Sequence, residues 1–178
     1  MRKVDAIMEY YNRDARYCIR CGSQMESRPD REGKLRATCT GCGWIFYRNP
    51  IPAAACVIFD EQGRLLLIKR RCEPKPGEWA LPSGYIEIDQ TPEETAVAEM
   101  REETGLVGEV DRFLGYFVGH SPLYQSILSF GYLMRVTGGK LEAGDDAAEA
   151  RYVAPSEAPP VAFASHRRYI ALAHGLAR

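Results

Sequence analysis

Apolar residues fall into two continuous runs near the middle of the chain. The runs are AAACVIF (53–59) and RLLLIKR (64–70), and the turn-like sequence DEQG (60–63) separates them. Short apolar runs bounded by turn residues predict β-strands. Because the two runs lie so close in sequence, we expect them to pair as a β-hairpin.

A helix is predicted between Thr91 and Gly105. Thr91 is a favourable N-cap residue, Pro92 suits the first helical position, and Glu94 completes a Thr-x-x-Glu capping box. Gly105 supplies the stop, because glycine readily adopts the left-handed conformation that ends many helices. The sequence SHRRYIALAHGL (165–176) predicts a final helix. Shorter extended segments are expected at 79–81, 85–88, 112–118, 126–136 and 151–153.

The 178 residues suit one ordinary domain and a small additional module. Residues 1–17 could form a short amphipathic helix with Ile7, Met8 and Tyr11 on one side. Residues 18–50 form the predicted small module, and residues 51–178 form the predicted main domain. The joint between them is the proline-containing sequence YRNPIP (47–52).

Composition and charge exclude several classes of protein. Apolar residues make up 46% and charged residues 26% of the chain, which is typical of a compact soluble protein. The net charge of −1 provides no overall basic field for nucleic acid, which argues against a general DNA or RNA binder. No apolar run approaches the roughly 20 residues that span a bilayer. The charged N-terminus does not resemble a secretion signal, so we expect a cytoplasmic protein with no membrane partner.

Four of the six cysteines form two close pairs, Cys18/Cys21 and Cys39/Cys42, with 17 residues between the pairs. This spacing predicts a structural zinc site with four thiolate ligands and no open coordination position. The glycines at 22, 41 and 43 give the backbone freedom that such turns need. Iron in the same site and a redox Cys-x-x-Cys are the alternatives. Cys56 and Cys72 are interpreted as packed or incidental thiols.

Three glutamates of the predicted helix share one helical face. Glu99, Glu102 and Glu103 are related by three and four residues, so their carboxylates should repel one another unless cations bind between them. Magnesium takes oxygen ligands of this kind together with substrate phosphate. Ala96, Val97 and Met100 are expected to be buried on the opposite side. A solvated acidic face is the alternative, and helical spacing alone favours it.

Residues 84–106, GYIEIDQTPEETAVAEMREETGL, resemble the Nudix box, whose pattern is G-x5-E-x7-R-E-U-x-E-E-x-G-U with U an aliphatic residue. The residues that match without a gap are Gly84, Glu99, Met100, Glu102, Glu103, Gly105 and Leu106. The preceding IKRRCEPKPGEWALPSG also looks like the strand and loop that lead into that box. With the cysteine pairs upstream, the chain is similar to zinc-ribbon Nudix hydrolases from residue 18 to about residue 170.

The resemblance implies a fold and an activity. The fold would be of the α/β (α+β) class, with a mixed sheet in an α/β/α sandwich preceded by a small zinc-ribbon β module. Glu99, Glu102 and Glu103 would bind catalytic Mg²⁺, or Mn²⁺, for hydrolysis of the pyrophosphate in a nucleoside diphosphate conjugate. FAD and ADP-ribose are favoured as substrates, NADH comes next and nucleoside triphosphates last. The product would be AMP or another nucleoside monophosphate, and a homodimer is typical of such relatives.

The box departs from the pattern at two positions. Gln90 replaces its first glutamate and Ala98 replaces its arginine, two side chains that the family uses to support the box electrostatically. Loss of both members of a charge pair leaves no unpaired charge behind, so we expect activity to survive. Glu87 and Asp89 could replace part of the lost negative charge.

Substrate contacts are predicted for a few residues near the box. Arg70, Gly84 and Glu87 are the candidate substrate-binding residues, with Arg70 placed to meet phosphate. Glu149 is a candidate general base, although a surface ion pair is the more ordinary role. The aromatic side chains that could stack on a base are Tyr47, Trp79, Tyr85 and Phe163, and packing is the usual role for each of them.

Two other functions are compatible with the sequence. The altered box could belong to a catalytically weak domain that binds a nucleotide as a regulatory or interaction module. The first module could instead bind nucleic acid, since it is locally basic. Its cationic residues are Arg16, Arg20, Arg28, Arg31, Lys34, Arg36 and Arg48. The three retained glutamates oppose the first alternative, and the net charge opposes the second.

Overall fold

The computed structural model describes residues 15–121 and 124–176, so most of the helix expected at 1–17 lies outside the described residues. The chain divides into two compact units. Among the described residues, the smaller unit contains residues 15–50 together with Ser121, Tyr124 and Gln125, and the larger unit contains the remainder. Tyr17, at the end of the expected N-terminal helix, forms a bridge with Gln24 instead. No helix in the described ranges is long and apolar enough to cross a membrane.

The smaller unit contains a three-stranded antiparallel sheet in the order β1-β2-β3. Its strands are β1 (Met25–Pro29), β2 (Leu35–Cys39) and β3 (Ile45–Phe46). A turn at residues 30–33 joins β1 to β2. Asp30 stabilises this turn, because its carboxylate accepts hydrogen bonds from the backbone N–H groups of Glu32 and Lys34.

Two sheets and two helices make up the larger unit. One sheet has the order β7-β4-β9-β8, in which β4 runs parallel to β9 and antiparallel to β7, and the other has the antiparallel order β10-β5-β6. The strands are β4 (Ile51–Ile58), β5 (Leu65–Arg70), β6 (Trp79–Ala80), β7 (Ser83–Tyr85), β8 (Leu106–Ser121), β9 (Gln125–Gly139) and β10 (Ala147–Val153). The helices are α1 (Pro92–Thr104) and α2 (Ala164–Leu176), and Pro155–Glu157 forms a short 3-10 turn.

Strand β4 is buried on both of its faces. Successive side chains of a strand point to opposite sides of the sheet. Cys56 and Ile58 accordingly pack in the core cluster that contains Met100 of α1. Val57, between them, packs in the cluster that contains Tyr169 of α2. The mixed sheet therefore lies between two helices, which confirms the predicted α/β/α sandwich.

The helix signals in the box are confirmed by α1. The Thr91 hydroxyl accepts a hydrogen bond from the Glu94 N–H group, and the Glu94 carboxylate accepts one from the Thr91 N–H group. Gly105 has a φ of 70° and ends the helix. The reciprocal bonds satisfy backbone N–H groups that the first turn of a helix leaves without intrahelical partners, and the Gly105 N–H group donates to the Arg101 carbonyl at the other end.

The predicted hairpin between residues 53–59 and 64–70 is wrong. Both strands exist, but β4 pairs with β7 and β9, whereas β5 pairs with β6 and β10. Across the turn at 60–63 the structure has one antiparallel bridge, Phe59 to Leu65, and the Asp60 N–H group donates to the Arg64 carbonyl, but no ladder extends from there. Each strand satisfies its backbone groups with partners distant in sequence, and local spacing does not reveal such pairings.

Helix α2 is anchored to the sheet region by two buried side chains. The Tyr169 hydroxyl donates to the Ser129 carbonyl at 2.7 Å. His166 is buried, and its Nδ1 atom accepts a hydrogen bond from the Leu81 N–H group at 3.1 Å. Nδ1 must be unprotonated to accept this bond.

Burial, with Arg70 and Arg167 nearby, lowers the pKa of His166 from 6.5 to about 3. Below pH 6.5, the His166 imidazole therefore binds a proton in the unfolded chain but not in the folded protein. Stability from this residue is complete above that pH and is lost as the pH falls toward 3. Between about pH 7.5 and pH 5.5, the wild type is expected to lose about 1.4 kcal/mol relative to His166→Asn.

Urea unfolding of both proteins at both pH values measures this difference. The comparison with His166→Asn is necessary because Glu99 and Glu103 have raised pKa values and change stability in the opposite sense. Their contribution is common to both proteins and cancels in the difference. Equal pH dependence of the two proteins would contradict a neutral buried His166.

Candidate zinc site and active site

The sulfur atoms of Cys18, Cys21, Cys39 and Cys42 all lie within 4.8 Å of one another. The Sγ atoms of Cys18 and Cys42 are 3.7 Å apart, and those of Cys21 and Cys39 are 3.4 Å apart. Four ligands at the usual Zn–S distance of about 2.3 Å in a tetrahedron have sulfur atoms roughly 3.8 Å apart. The geometry therefore fits zinc. None of the six cysteines forms a disulfide.

The two cysteine pairs have the same backbone conformation. The Gly22 N–H group donates to the Cys18 carbonyl, and the Gly43 N–H group donates to the Cys39 carbonyl. Both glycines have a positive φ, 74° and 73° respectively. Such turns point both sulfurs of a pair in one direction. A hydrogen bond from the Cys42 N–H group is the leading cause of the lowered pKa of Cys39, which favours the thiolate that a metal requires.

In the larger unit, Glu103 is a buried carboxylate. It is 1% exposed, and its Oε2 atom accepts a hydrogen bond from the Ser83 N–H group at 2.8 Å. Burial raises the pKa of Glu103 to about 8, although the Ser83 hydrogen bond acts in the opposite direction. A buried anion in need of compensation is a suitable ligand for a cation.

The carboxylate of Glu99 lies directly over Gly84. A Cβ atom added at Gly84 would lie 1.7 Å from Oε1 of Glu99, so only glycine leaves space for this side chain. Burial, followed by repulsion from Glu102, Asp145 and Asp146, raises the pKa of Glu99 to about 7. Strand β7 and helix α1 thus meet at this carboxylate.

Two further acidic residues belong to the same region and were missed by the sequence analysis. Asp145 and Asp146 are exposed and follow Gly144, whose N–H group donates to the Glu103 carbonyl at the end of α1. The adjacent acidic pair after a glycine is a weak signal in the sequence. The docking of this loop on α1 is a long-range contact that no local pattern predicts.

The expected division of α1 into an acidic front and an apolar back is wrong at two positions. Val97 is 36% exposed, whereas Glu103 is buried on the same side as Ala96 and Met100. At 100° per residue, position 103 lies only about 20° from position 96, so the two residues share a face. Glu102 is exposed. The three carboxylates therefore range from buried to solvent-accessible.

These residues fit a hard divalent cation, with one condition. Carboxylate oxygens are the ligands that Mg²⁺ prefers, and the raised pKa values show that burial, followed by repulsion between carboxylates, disfavours the charged forms of Glu99 and Glu103 when no cation is bound. Among the described residues, only the four cysteines have their donor atoms all within 4.8 Å, so the three glutamates are farther apart. A single ion held by all three therefore requires rotation of the exposed Glu102 side chain, or water between ligand and metal.

Gly84→Ala is expected to displace the Glu99 carboxylate. The new methyl group would overlap it, and the pocket wall would have to move. We expect kcat to fall about 100-fold, a loss of the order seen when one positioned group leaves an active site. Steady-state kinetics at saturating Mg²⁺ measures the effect. Gly138→Ala is the matched control, because an added Cβ there meets nothing within 4 Å; equal activity of both variants would contradict the steric argument.

Both departures from the box pattern are uncharged, and Gln90 forms a hydrogen bond to the helix. The Gln90 Oε1 atom accepts a hydrogen bond from the hydroxyl of buried Thr95 at 3.0 Å. This bond ties the segment before α1 to the first turn of the helix. Ala98 is half-buried and places no charge there. The box therefore has uncharged side chains at the positions where its pattern has a charge pair.

For this reason the double variant Gln90→Glu/Ala98→Arg is expected to change kcat by less than about threefold, within the range of an exposed ion pair. Initial rates of the double variant and of both single variants test the expectation. The Gln90→Glu variant is expected to be the least stable of the three, because it adds a carboxylate without a cation. A tenfold gain by the double variant would show that the charge pair had been needed.

Two of the predicted substrate-binding residues, Arg70 and Glu87, form hydrogen bonds with nearby backbone groups. The Arg70 guanidinium donates to the backbone carbonyls of Cys72, Glu73 and Pro74, and it lies 5.4 Å from the ring centre of Phe163. Arg70 is close enough to Glu103 for its positive charge to oppose the rise in the pKa of that residue. Glu87 is exposed in the turn before α1, where its carbonyl accepts from the Gln90 N–H group.

The candidate stacking aromatics already have partners. The guanidinium of Arg151 lies 4.3 Å from the ring centre of Trp79, and that of Arg36 lies 5.2 Å from Tyr47. Glu149, the candidate base, is 3.6 Å from Arg151 in an exposed ion pair on β10. These contacts agree with the ordinary structural roles for Trp79, Tyr47 and Glu149.

The fold and the group of carboxylates define a mixed-sheet domain with an acidic site beside its capped helix α1. A four-cysteine module whose geometry fits zinc precedes this domain in the sequence. The NUDIX domain family matches residues 49–173, and the Nudix N-terminal zinc ribbon matches residues 16–48. The chain therefore belongs to the Nudix hydrolase family and acts on phosphoric anhydride bonds. Both predicted modules, the ribbon and the hydrolase domain, are present in the expected order.

Individual relatives agree with this assignment. The chain is 37% identical over 131 residues to the ADP-ribose pyrophosphatase of Methanocaldococcus jannaschii, an alignment that covers 70% of this chain and 73% of that protein. It is 24% identical over 148 residues to the NAD-capped RNA hydrolase NudC of Vibrio vulnificus, covering 83% of this chain but 54% of that protein. The crystal structure of a NUDIX hydrolase from Nitrosomonas europaea has the same fold, with a TM-score of 0.76, 24% identity and coverage of 90% and 92%.

Proposed function

We propose that this protein hydrolyses the pyrophosphate of a nucleoside diphosphate conjugate in the presence of Mg²⁺, with ADP-ribose as the first substrate to test and FAD beside it. The observation that carries the proposal is the group of carboxylates around Glu99, which consists of Glu99, Glu102 and Glu103 together with Asp145 and Asp146. The 37% identity to an ADP-ribose pyrophosphatase supports the order of substrates. NADH ranks third and nucleoside triphosphates last.

The charge of this group of carboxylates supports a requirement for a cation. A pyrophosphate is itself an anion, and unneutralised carboxylates would repel it. Magnesium held by the carboxylates would neutralise charge on the phosphate oxygens and lower the pKa of the attacking water. The residues of the chain would fix the position of that charge, since Glu103 is held by the Ser83 N–H group and Glu99 is seated over Gly84.

A substrate panel with Mg²⁺ tests the proposal. Purified, zinc-loaded protein is incubated with ADP-ribose, FAD, NADH and nucleoside triphosphates, and the products are identified by mass. We expect AMP and ribose 5-phosphate from ADP-ribose, with no release when a chelator removes Mg²⁺. Heavy-oxygen water then shows which phosphorus is attacked, because the label enters one product only.

Failure to release a mononucleotide from any of these conjugates would refute the proposal. Titration calorimetry with the same compounds would then decide whether the domain is a nucleotide-binding module. Binding of ADP-ribose without turnover would favour that alternative.

A further inference from the structure

A buried histidine outside the carboxylate group contacts the segment between β6 and β7, which leads to the carboxylates. His166 is 5% exposed and lies in the first turn of α2, on a segment that the proposed chemistry does not use. Its Nδ1 atom accepts the hydrogen bond of the Leu81 N–H group, and Leu81 is fully buried. Within the described ranges, no buried side-chain nitrogen or oxygen atom lacks a hydrogen-bond partner.

The backbone segment that His166 contacts continues directly to the carboxylates of Glu103 and Glu99. Two residues after Leu81, the Ser83 N–H group donates to Glu103, and the next residue is Gly84, beneath the Glu99 carboxylate. On the other side of Leu81, the Trp79 carbonyl accepts from the Ala162 N–H group just before α2. Residues 162–166 therefore form two hydrogen bonds with the segment 79–81.

We propose that His166 is a positioning residue of the active site, holding Leu81 so that the Ser83 N–H group and Gly84 stay in place beneath the carboxylates of Glu103 and Glu99. The role in catalysis rests on the proposed function, but the positioning itself does not. Without Nδ1, the buried Leu81 N–H group would lack an acceptor, which destabilises this position of the backbone. Movement of the segment 81–84 toward another acceptor would relieve that loss and disturb the site.

Three variants separate this role from ordinary packing. His166→Phe keeps a ring but removes the acceptor, and His166→Asn keeps an acceptor close to the position of Nδ1. Tyr169→Phe is the matched control, since it keeps the ring in the core cluster that contains Leu81 and removes a buried hydrogen bond of α2, from the Tyr169 hydroxyl to the Ser129 carbonyl, that involves no backbone group of residues 81–84. The melting temperature of each variant shows whether the losses of stability are comparable.

The first measurement needs no substrate. Amide hydrogen exchange of Ser83 is measured in the zinc-loaded protein without Mg²⁺ or Mn²⁺. The affinity of the same protein for Mn²⁺ is measured by electron paramagnetic resonance. In His166→Phe, Ser83 is expected to exchange about tenfold faster and Mn²⁺ to bind about tenfold more weakly, the ratio that corresponds to one buried hydrogen bond. Tyr169→Phe is expected to change neither, and His166→Asn to recover most of both.

The second measurement is kinetic. With the best substrate of the panel, His166→Phe is expected to lower kcat about tenfold with little change in KM. Unchanged Ser83 exchange and Mn²⁺ affinity in His166→Phe would overturn the inference, as would equal changes in Tyr169→Phe. If no substrate is cleaved by the wild type, the proposed function fails, whereas the exchange and Mn²⁺ data still decide the role of His166.

Discussion

Glu103→Gln is expected to lower kcat about 1000-fold, equivalent to roughly 4 kcal/mol of transition-state stabilisation. Glutamine has nearly the same shape and can still accept the hydrogen bond from Ser83, so the pocket should keep its structure. What disappears is a buried negative charge that would hold a cation against the substrate phosphates. Glu99→Gln is expected to have an effect of similar size, because Glu99 supplies the neighbouring carboxylate.

The measurement is the initial rate of AMP release at increasing Mg²⁺. Glu61→Gln is the control, since Glu61 is exposed in the turn before β5 and has no part in the site. Near-normal turnover by Glu102→Gln, Glu103→Gln and Glu99→Gln together would refute the assignment of the site.

A thermal denaturation experiment separates loss of charge from loss of structure. Burial raises the pKa of Glu103 to about 8. Above that pH, the folded protein without Mg²⁺ therefore carries a buried negative charge that destabilises it. Metal-free Glu103→Gln is therefore expected to melt at a higher temperature than the wild type at about pH 9. A variant that is more stable and yet inactive cannot be explained by misfolding.

Removal of one zinc ligand is expected to have the second large effect. Cys39→Ala should reduce bound zinc from one ion per chain to nearly none, because three thiolates do not complete a tetrahedral structural site. Cys39 also joins β2 to the second cysteine turn and is 1% exposed. Structural zinc sites commonly contribute folding free energy on the order of 10 kcal/mol, so the module around 18–46 should unfold.

Metal analysis and amide exchange of residues 18–46 check this prediction. Cys72→Ala is the matched control, since Cys72 is an exposed cysteine outside the cluster and should leave one zinc per chain. Fewer than about half a zinc per wild-type chain, with four free thiols, would contradict the site. Iron in the same position would be detected by the same analysis.

Local sequence signals predicted the parts of the fold that are locally determined. Thr91, Glu94 and Gly105 act within one or two turns of α1, so the helix bounds follow from the sequence. The four cysteines act within two short turns, and their spacing was sufficient to predict the cluster. The two apolar runs were correctly predicted as strands for the same reason.

Features that depend on distant contacts were not predicted. The pairing of β4 with β9 joins residues more than 70 positions apart, for example Ile51 with Ile127, and no local pattern indicates it. Asp145 and Asp146 reach the site only because their loop docks on the end of α1. The burial of Glu103 depends on what covers the helix, which helical spacing alone leaves open.

Strand β4 also limits how this protein can change over evolution. Because both of its faces are buried, each of the positions 54–58 belongs to one of two cores. Insertion or deletion of one residue would turn every later side chain of the strand toward the wrong core at once. We therefore expect natural length variation in related sequences to avoid this strand and to accumulate in exposed turns such as 60–63, where an added residue displaces only solvent.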